Sequence, residues 1–224
     1  MRERSFQSST VSVPVGRNII EGELILPDRA TGSVIFAHGS GSSRHSPRNQ
    51  YVAGVLNRGG LSTLLIDLLT VEEEIVDSRT AEHRFNIGLL AQRLMAATDW
   101  ARARKDLSGF SIGYFGASTG AAAALIAAAE RSDVIDAVVS RGGRPDLAGD
   151  SLEKVAAPTL LIVGELDREV IALNRQAARV MHARTEIAIV PRATHLFEEE
   201  GALEQVALLA RGWFERNLIR GRAA

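Results

Sequence analysis

Ser118, Asp167 and His195 are the residues of this 224-residue sequence whose types and order could do chemistry together. Ser118 lies in Gly116-Ala117-Ser118-Thr119-Gly120, a G-x-S-x-G pattern that lifts a serine hydroxyl above a sheet when it joins a strand to a helix. A serine hydroxyl is a weak nucleophile near neutral pH and needs a base to take its proton. An imidazole in that role needs a carboxylate to fix its tautomer and stabilise its charged form. His195 and Asp167 supply those two types, and the chain order Ser118, Asp167, His195 is the one expected when such an elbow is set on a parallel sheet. Taken singly, each has an ordinary explanation as a turn residue, a turn cap or a surface histidine. Glu165 is a rival acid, and Glu198 a rival partner for His195.

Acyl attack develops an oxyanion, which requires preorganised N–H donors. The N–H of Thr119, at the start of the helix after the nucleophile, is one candidate. The N–H of Ser40, in the small-residue loop His38-Gly39-Ser40-Gly41, is the second, with His38 assigned a structural place beneath that loop. Arg44, Arg48, Arg141 and Arg144 cluster after two of the strands. Arginines so placed commonly tie loops to aspartates such as Asp146. Arg48 and Arg141 are kept as candidate substrate-binding residues for a carboxylate or other anion.

These residues need a scaffold that brings several strand ends together. Ser33–His38, Ser62–Asp67, Ile112 onward, Ile135–Ser140, Thr159–Gly164 and Glu186–Val190 read as buried strands. Helical patterns separate them: Pro47 to about Arg58, Phe85 to about Arg104, the alanine-rich run after Ser118, Ile171–His182, and Leu203 to about Ile219. Thr10–Val15 and Gly22–Pro27 read as two antiparallel edge strands, where Pro14 and Pro27 are tolerable. The acidic stretch from Leu68 to Glu82 is expected to be loop or short helix, with Glu72-Glu73-Glu74 as a solvated face. Alternating strands and helices predict a mostly parallel sheet covered on both sides, with its chemistry at the carboxyl ends of the strands.

Composition narrows the function classes. The apolar fraction of 46% and charged fraction of 24% are those of a globular protein, and the length fits a single domain over 1–224. A formal net charge of −1 and the lack of a basic run argue against nucleic-acid binding. The absence of cysteine excludes disulfides, thiolate metal sites and a cysteine nucleophile, and fits a cytoplasmic home. Residues 1–10 carry charge without a following apolar core, unlike a secretory signal, and no stretch predicts a membrane span. No G-x-G-x-x-G, P-loop or zincin-type spacing is present, so no cofactor or metal is expected.

The strings His38 to Asn49, Gly116 to Gly120 and Ser140-Arg141-Gly142-Gly143-Arg144-Pro145-Asp146-Leu147 resemble the α/β-hydrolase superfamily, in particular its dienelactone hydrolase-like subgroup. The resemblance implies an α/β-hydrolase fold with a sheet of about eight strands, no large lid domain, catalytic Ser118, Asp167 and His195, and no cofactor. The sequence departs from dienelactone hydrolases proper at the nucleophile, where they use cysteine and this chain has Ser118. The family name therefore does not carry its substrate with it. The expected activity is hydrolysis of small carboxylic esters or lactones through an acyl-enzyme. The alternatives are an acyltransferase with the same triad and a non-catalytic scaffold that binds a small ligand or a protein partner.

Overall fold

The computed structural model describes residues 5–218. An eight-stranded sheet carries the chain: β1 (Phe6–Val15), β2 (Asn18–Pro27), β3 (Gly32–Ala37), β4 (Ser62–Ile66), β5 (Ser111–Ala117), β6 (Ile135–Arg141), β7 (Thr159–Gly164) and β8 (Thr185–Val190). Their spatial order is β1-β2-β4-β3-β5-β6-β7-β8. β1 and β2 form an antiparallel hairpin, and β2 also runs antiparallel to β4. Every other pairing is parallel. Only β1 of the hairpin is a sheet edge. Pro27 is tolerated in β2 because it ends the strand, past the segment paired with β4.

Among the described residues five α-helices lie between these strands and a sixth follows the last: α1 (Pro47–Arg58), α2 (Val71–Thr80), α3 (Ile87–Ala103), α4 (Thr119–Glu130), α5 (Arg168–Val180) and α6 (Ala202–Asn217). α6 was expected to reach about Ile219, which lies outside the described residues, as do residues 1–4 of the N-terminal segment. The side-chain alternation of a strand divides the core in two. Val34 and Phe36 of β3, with Ala137 and Val139 of β6, pack in the layer of α1 and α6, around Trp213 and Phe214. Ile35, Tyr114 and Val138 pack on the opposite face with α3 and α4. Tyr114 is fully buried, and its hydroxyl is paired with Thr98 Oγ1 at 2.6 Å. This is an α/β-hydrolase architecture with helices on both faces and, among the described residues, no large lid.

Of the two readings of the acidic segment, loop or short helix, the short helix holds: it forms α2, whose N-terminus carries a capping box. Thr70 Oγ1 accepts the Glu73 N–H at 3.2 Å, while Glu73 accepts the Thr70 N–H at 2.8 Å. Glu73 also binds Arg93 at 2.6 Å, so it is a structural partner and not part of a solvated face. A 3-10 helix, Pro145–Lys154, follows β6 where only a loop start was expected, with a kink at Gly149 (φ 52°).

Candidate active site

β5 ends at Ala117 and α4 starts at Thr119, leaving Ser118 alone to make the turn. Its backbone sits at φ 51°, ψ −120°, a conformation that costs a non-glycine residue on the order of 1–3 kcal/mol. The strain is thus on the serine itself, and the flanking glycines serve close approach. A Cβ on Gly116 would lie 2.4 Å from Ala121 Cα, and one on Gly120 would lie 2.3 Å from the Ala37 carbonyl oxygen. The alanines of α4 extend the same logic, letting the helix lie close on the sheet with Ala121 to Ala124 fully buried.

His195 follows β8, and Asp167 follows β7. His195 Nδ1 lies 2.7 Å from Asp167 Oδ2. A carboxylate only accepts, so Nδ1 carries a proton, and in the neutral imidazole this tautomer puts the free lone pair on Nε2. The rival acids are engaged elsewhere: Glu165 accepts the Arg192 N–H at 2.7 Å, and Glu198 pairs with Arg48 at 3.0 Å. The turn that carries His195 is held by Glu199, which accepts from both the N–H (3.1 Å) and the hydroxyl (2.5 Å) of Thr194. Phe197, fully buried at φ 57°, anchors the same turn in the α1/α6 core. Sequence reasoning passed over Thr194, Phe197 and Glu199; the Thr-His dipeptide with an acid after it was the available signal.

Ser118 and His195 both lie against the carboxyl end of β6. The Ser118 N–H donates to the Arg141 carbonyl at 3.2 Å. The next residue, Gly142, faces His195: a Cβ there would lie 3.5 Å from His195 Cε1. Among the described residues no hydrogen bond joins Ser118 Oγ to His195, and such contacts are often long before substrate binds.

Opposite the elbow, the loop after β3 is pinned from two sides. His38 Nε2 accepts the Leu68 N–H at 3.0 Å, which places the imidazole proton on Nδ1, 2.9 Å from the Gly39 carbonyl. Burial, partly offset by that backbone hydrogen bond, lowers the pKa of His38. The Ser40 N–H donates to Thr119 Oγ1 at 2.9 Å. The Ser40 N–H is therefore held by the elbow itself, a role for the Thr119 hydroxyl that the sequence reading did not include. The Thr119 N–H, in the first turn of α4, has no intrahelical acceptor.

The four arginines separate into two pairs. Arg44 forms an ion pair with Asp67, and Arg144 binds Asp146 through two hydrogen bonds of 2.9 and 2.7 Å. Arg48 pairs with Glu198, yet its Nε is buried without a partner. Arg141 is 8% exposed, and both Nε and Nη1 are buried without a partner. Burial, followed by repulsion from Arg48, pulls its pKa down to about 10, so it remains a cation at neutral pH. A cavity of about 510 Å³ lies between the β3–α1 loop and α2, lined by His38, Ser42, Leu69, Val71 and Ile75 among others; Ser118 and His195 are not in its walls. Among the described residues, no group of three or more metal-ligating side chains could hold an ion, and no helix is long and apolar enough to cross a membrane.

Comparison with known proteins agrees with this fold. A crystal structure of dienelactone hydrolase from Anabaena variabilis superposes with a TM-score of 0.94 at 58% identity, covering 95% of this chain and 99% of that one. Est1E from Butyrivibrio proteoclasticus has a TM-score of 0.74 at 16% identity, covering 92% and 98%, and so shares the fold. Two curated Mycobacterium tuberculosis proteins, each with the name "putative phosphoribosyl transferase", are 55% identical over 204 residues. That match covers 91% of this chain and 45% of theirs, so the chain spans less than half the length of those relatives. The family model described as the dienelactone hydrolase family matches residues 66–214, well over half of the sequence and including the serine, aspartate and histidine. The chain belongs to the dienelactone hydrolase family.

Proposed function

We propose that the chain is a serine hydrolase that cleaves small carboxylic esters or lactones through an acyl-enzyme on Ser118. The observation that carries this reading is the 2.7 Å bond from His195 Nδ1–H to Asp167, because it leaves Nε2 as the only basic position of the imidazole. In the proposed cycle, Ser118 Oγ attacks the carbonyl carbon as His195 Nε2 takes its proton. The carbonyl π electrons move to oxygen, and the resulting oxyanion is held by the N–H groups of Thr119 and Ser40. Collapse expels the alcohol, which takes the proton from His195 and leaves the acyl group on Ser118. His195 then deprotonates a water that attacks the ester; the acid departs and Ser118 regains its proton. In the resting site the Ser40 N–H faces Thr119 Oγ1. A charged oxygen is a stronger acceptor than a neutral hydroxyl, so in the proposed cycle the oxyanion becomes the main acceptor of this N–H while Thr119 Oγ1 keeps it aimed at the site.

The sequence contains no cysteine, so the nucleophile proposed for the elbow is a hydroxyl oxygen and not a thiol. The transferase name of the mycobacterial relatives belongs to chains more than twice as long as the matched segment, and it is not extended to this one. Turnover of short esters, lactones and thioesters by wild type, set against Ser118→Ala, tests the proposal. The expected result is hydrolysis that falls at least about 10³-fold in the variant. Undiminished hydrolysis by Ser118→Ala would overturn it. Acyl transfer to an added alcohol or amine would appear in the same assay as acceptor-dependent product.

A further inference from the structure

We infer that Asn174 is a positioning residue of the proposed active site: its buried amide holds the segment from Arg141 to Arg144, which in turn fixes Ser118 and faces His195. This role rests on the serine-hydrolase reading and extends it by one residue.

The segment after β6 touches both the nucleophile and the base. The Arg141 carbonyl accepts the Ser118 N–H, and the Arg144 N–H donates to the Ser118 carbonyl, each at 3.2 Å. The N–H and C=O of a serine held at φ 51°, ψ −120° are thus tied to one short stretch of chain. Between those ties, Gly142 lies against His195: a Cβ there would be 3.1 Å from the His195 carbonyl oxygen and 3.5 Å from Cε1. The Gly142 N–H is anchored on β7 by the Ile162 carbonyl at 2.8 Å. Gly143 is wedged so closely that a Cβ would collide with Ser140 Oγ and lie 2.6 Å from Ala121 Cβ in the first turn of α4. The Gly143 carbonyl is held from α5, where it accepts Asn174 Nδ2 at 3.0 Å.

Asn174 is an unusual residue for its place. The buried stripe of α5 is Val170, Asn174 and Ala177, the spacing of an apolar helix face, and its middle member is a fully buried amide. Both partners of that amide, the carbonyls of Gly143 (3.0 Å) and Val170 (2.7 Å), can only accept, so Nδ2 faces them and Oδ1 is turned away. Oδ1 is buried and has no partner among the described residues. A buried acceptor without a donor is destabilising, and a leucine of similar size would avoid it. Stability therefore does not account for the amide, whereas its bond to Gly143 does. α5 begins directly after Asp167, and Asn174 follows about two turns further on. The helix that starts at the acid of the triad thus also carries the group that sets the clamp on the nucleophile.

Three variants test this role. Asn174→Leu keeps the side-chain volume and Asn174→Ala makes room, and both remove the donor; the alanine carries the test if leucine does not fit. Val170→Ala, on the same stripe, removes apolar contact and leaves the bond to Gly143 in place. Kinetics on short carboxylic esters, the rate of labelling by an organophosphonate and denaturant unfolding are measured for all three and for Ser118→Ala. Both Asn174 variants should lower kcat and the labelling rate by about 10- to 100-fold, the scale of a displacement of about 1 Å at a reacting group, with KM changed by less than about threefold. Val170→Ala should lose stability and keep its kcat. Wild-type kcat and labelling in Asn174→Ala, or an equal fall of kcat in Val170→Ala, would overturn the role of Asn174. Ser118→Ala separates the two possible failures. If it abolishes turnover while Asn174→Ala changes nothing, only the positioning role is lost; if it turns over undiminished, the serine reading itself is lost.

Discussion

The two turns that bring the proposed nucleophile and base together are built on opposite principles. The β5–α4 elbow is made of backbone and missing side chains: Gly116 and Gly120 stand where a Cβ would meet main-chain atoms at 2.4 and 2.3 Å, and Ser118 makes no side-chain cap. The turn after β8 is made of side chains. Thr194 bonds Glu199, Glu165 holds the Arg192 N–H, Asp167 orients His195, and Phe197 plugs the core. A nucleophile has to stay fixed, and steric closure fixes it. A base has to hold one tautomer and then accommodate a charge, which polar partners accomplish. The elbow should therefore fail when atoms are added, and the histidine turn when polar atoms are taken away.

Asp167→Asn should give the largest effect on rate among the polar substitutions. An amide can donate to Nδ1 and stabilise the wrong tautomer, so kcat should fall by about 10³- to 10⁴-fold with the fold intact. Ester kinetics with a thermal melt as control measures it, and a loss below tenfold would remove Asp167 from the mechanism. Gly120→Ala should act on stability first. Its Cβ would meet the carbonyl oxygens of both Ala37 and His38 at 2.3 Å, a clash with main chain expected to cost about 3 kcal/mol, readable in denaturant unfolding. A mild change there would mean that the elbow is looser than its geometry.

Thr119→Val tests the contact between the elbow and the loop that faces it. Losing the acceptor of the Ser40 N–H should lower kcat/KM about tenfold, roughly one hydrogen bond's worth, and Thr119→Ser should restore it. The smallest effect concerns His38, whose pKa is lowered by burial. Its unfolded form takes up a proton below the ordinary value of 6.5, while the folded form resists it. The unfolded state then binds more protons, so this contribution is present above that pH and is lost as pH falls toward the folded pKa. Unfolding free energies across that range should decline less steeply in His38→Gln than in wild type. Equal slopes would assign the acid limb to other groups.

The same contrast explains how much was legible in the sequence. Steric devices leave a local signature, since glycine and alanine are required at fixed offsets, and the elbow and α4 stood out for that reason. The buried strands were readable as continuous apolar runs. Polar devices depend on which side chains the fold brings together. The pairing of Glu198 with Arg48 spans 150 positions, and nothing in either neighbourhood announces it. Ser40 and Thr119 are joined across 79 positions in the same way. The capping box of Thr70 and Glu73 was local, and its threonine-to-glutamate spacing could have marked α2 in advance. The difference between Arg141 and Arg144 was invisible, because only the folded chain reveals which one lacks an acid.

The central claim is that Ser118 is the group that becomes acylated. Labelling with a reporter-tagged organophosphonate, followed by peptide mapping, tests it most directly. The account predicts one label per chain on the peptide that contains Ser118 and none on Ser118→Ala. Full labelling of Ser118→Ala, or a label mapped to another residue in wild type, would contradict it.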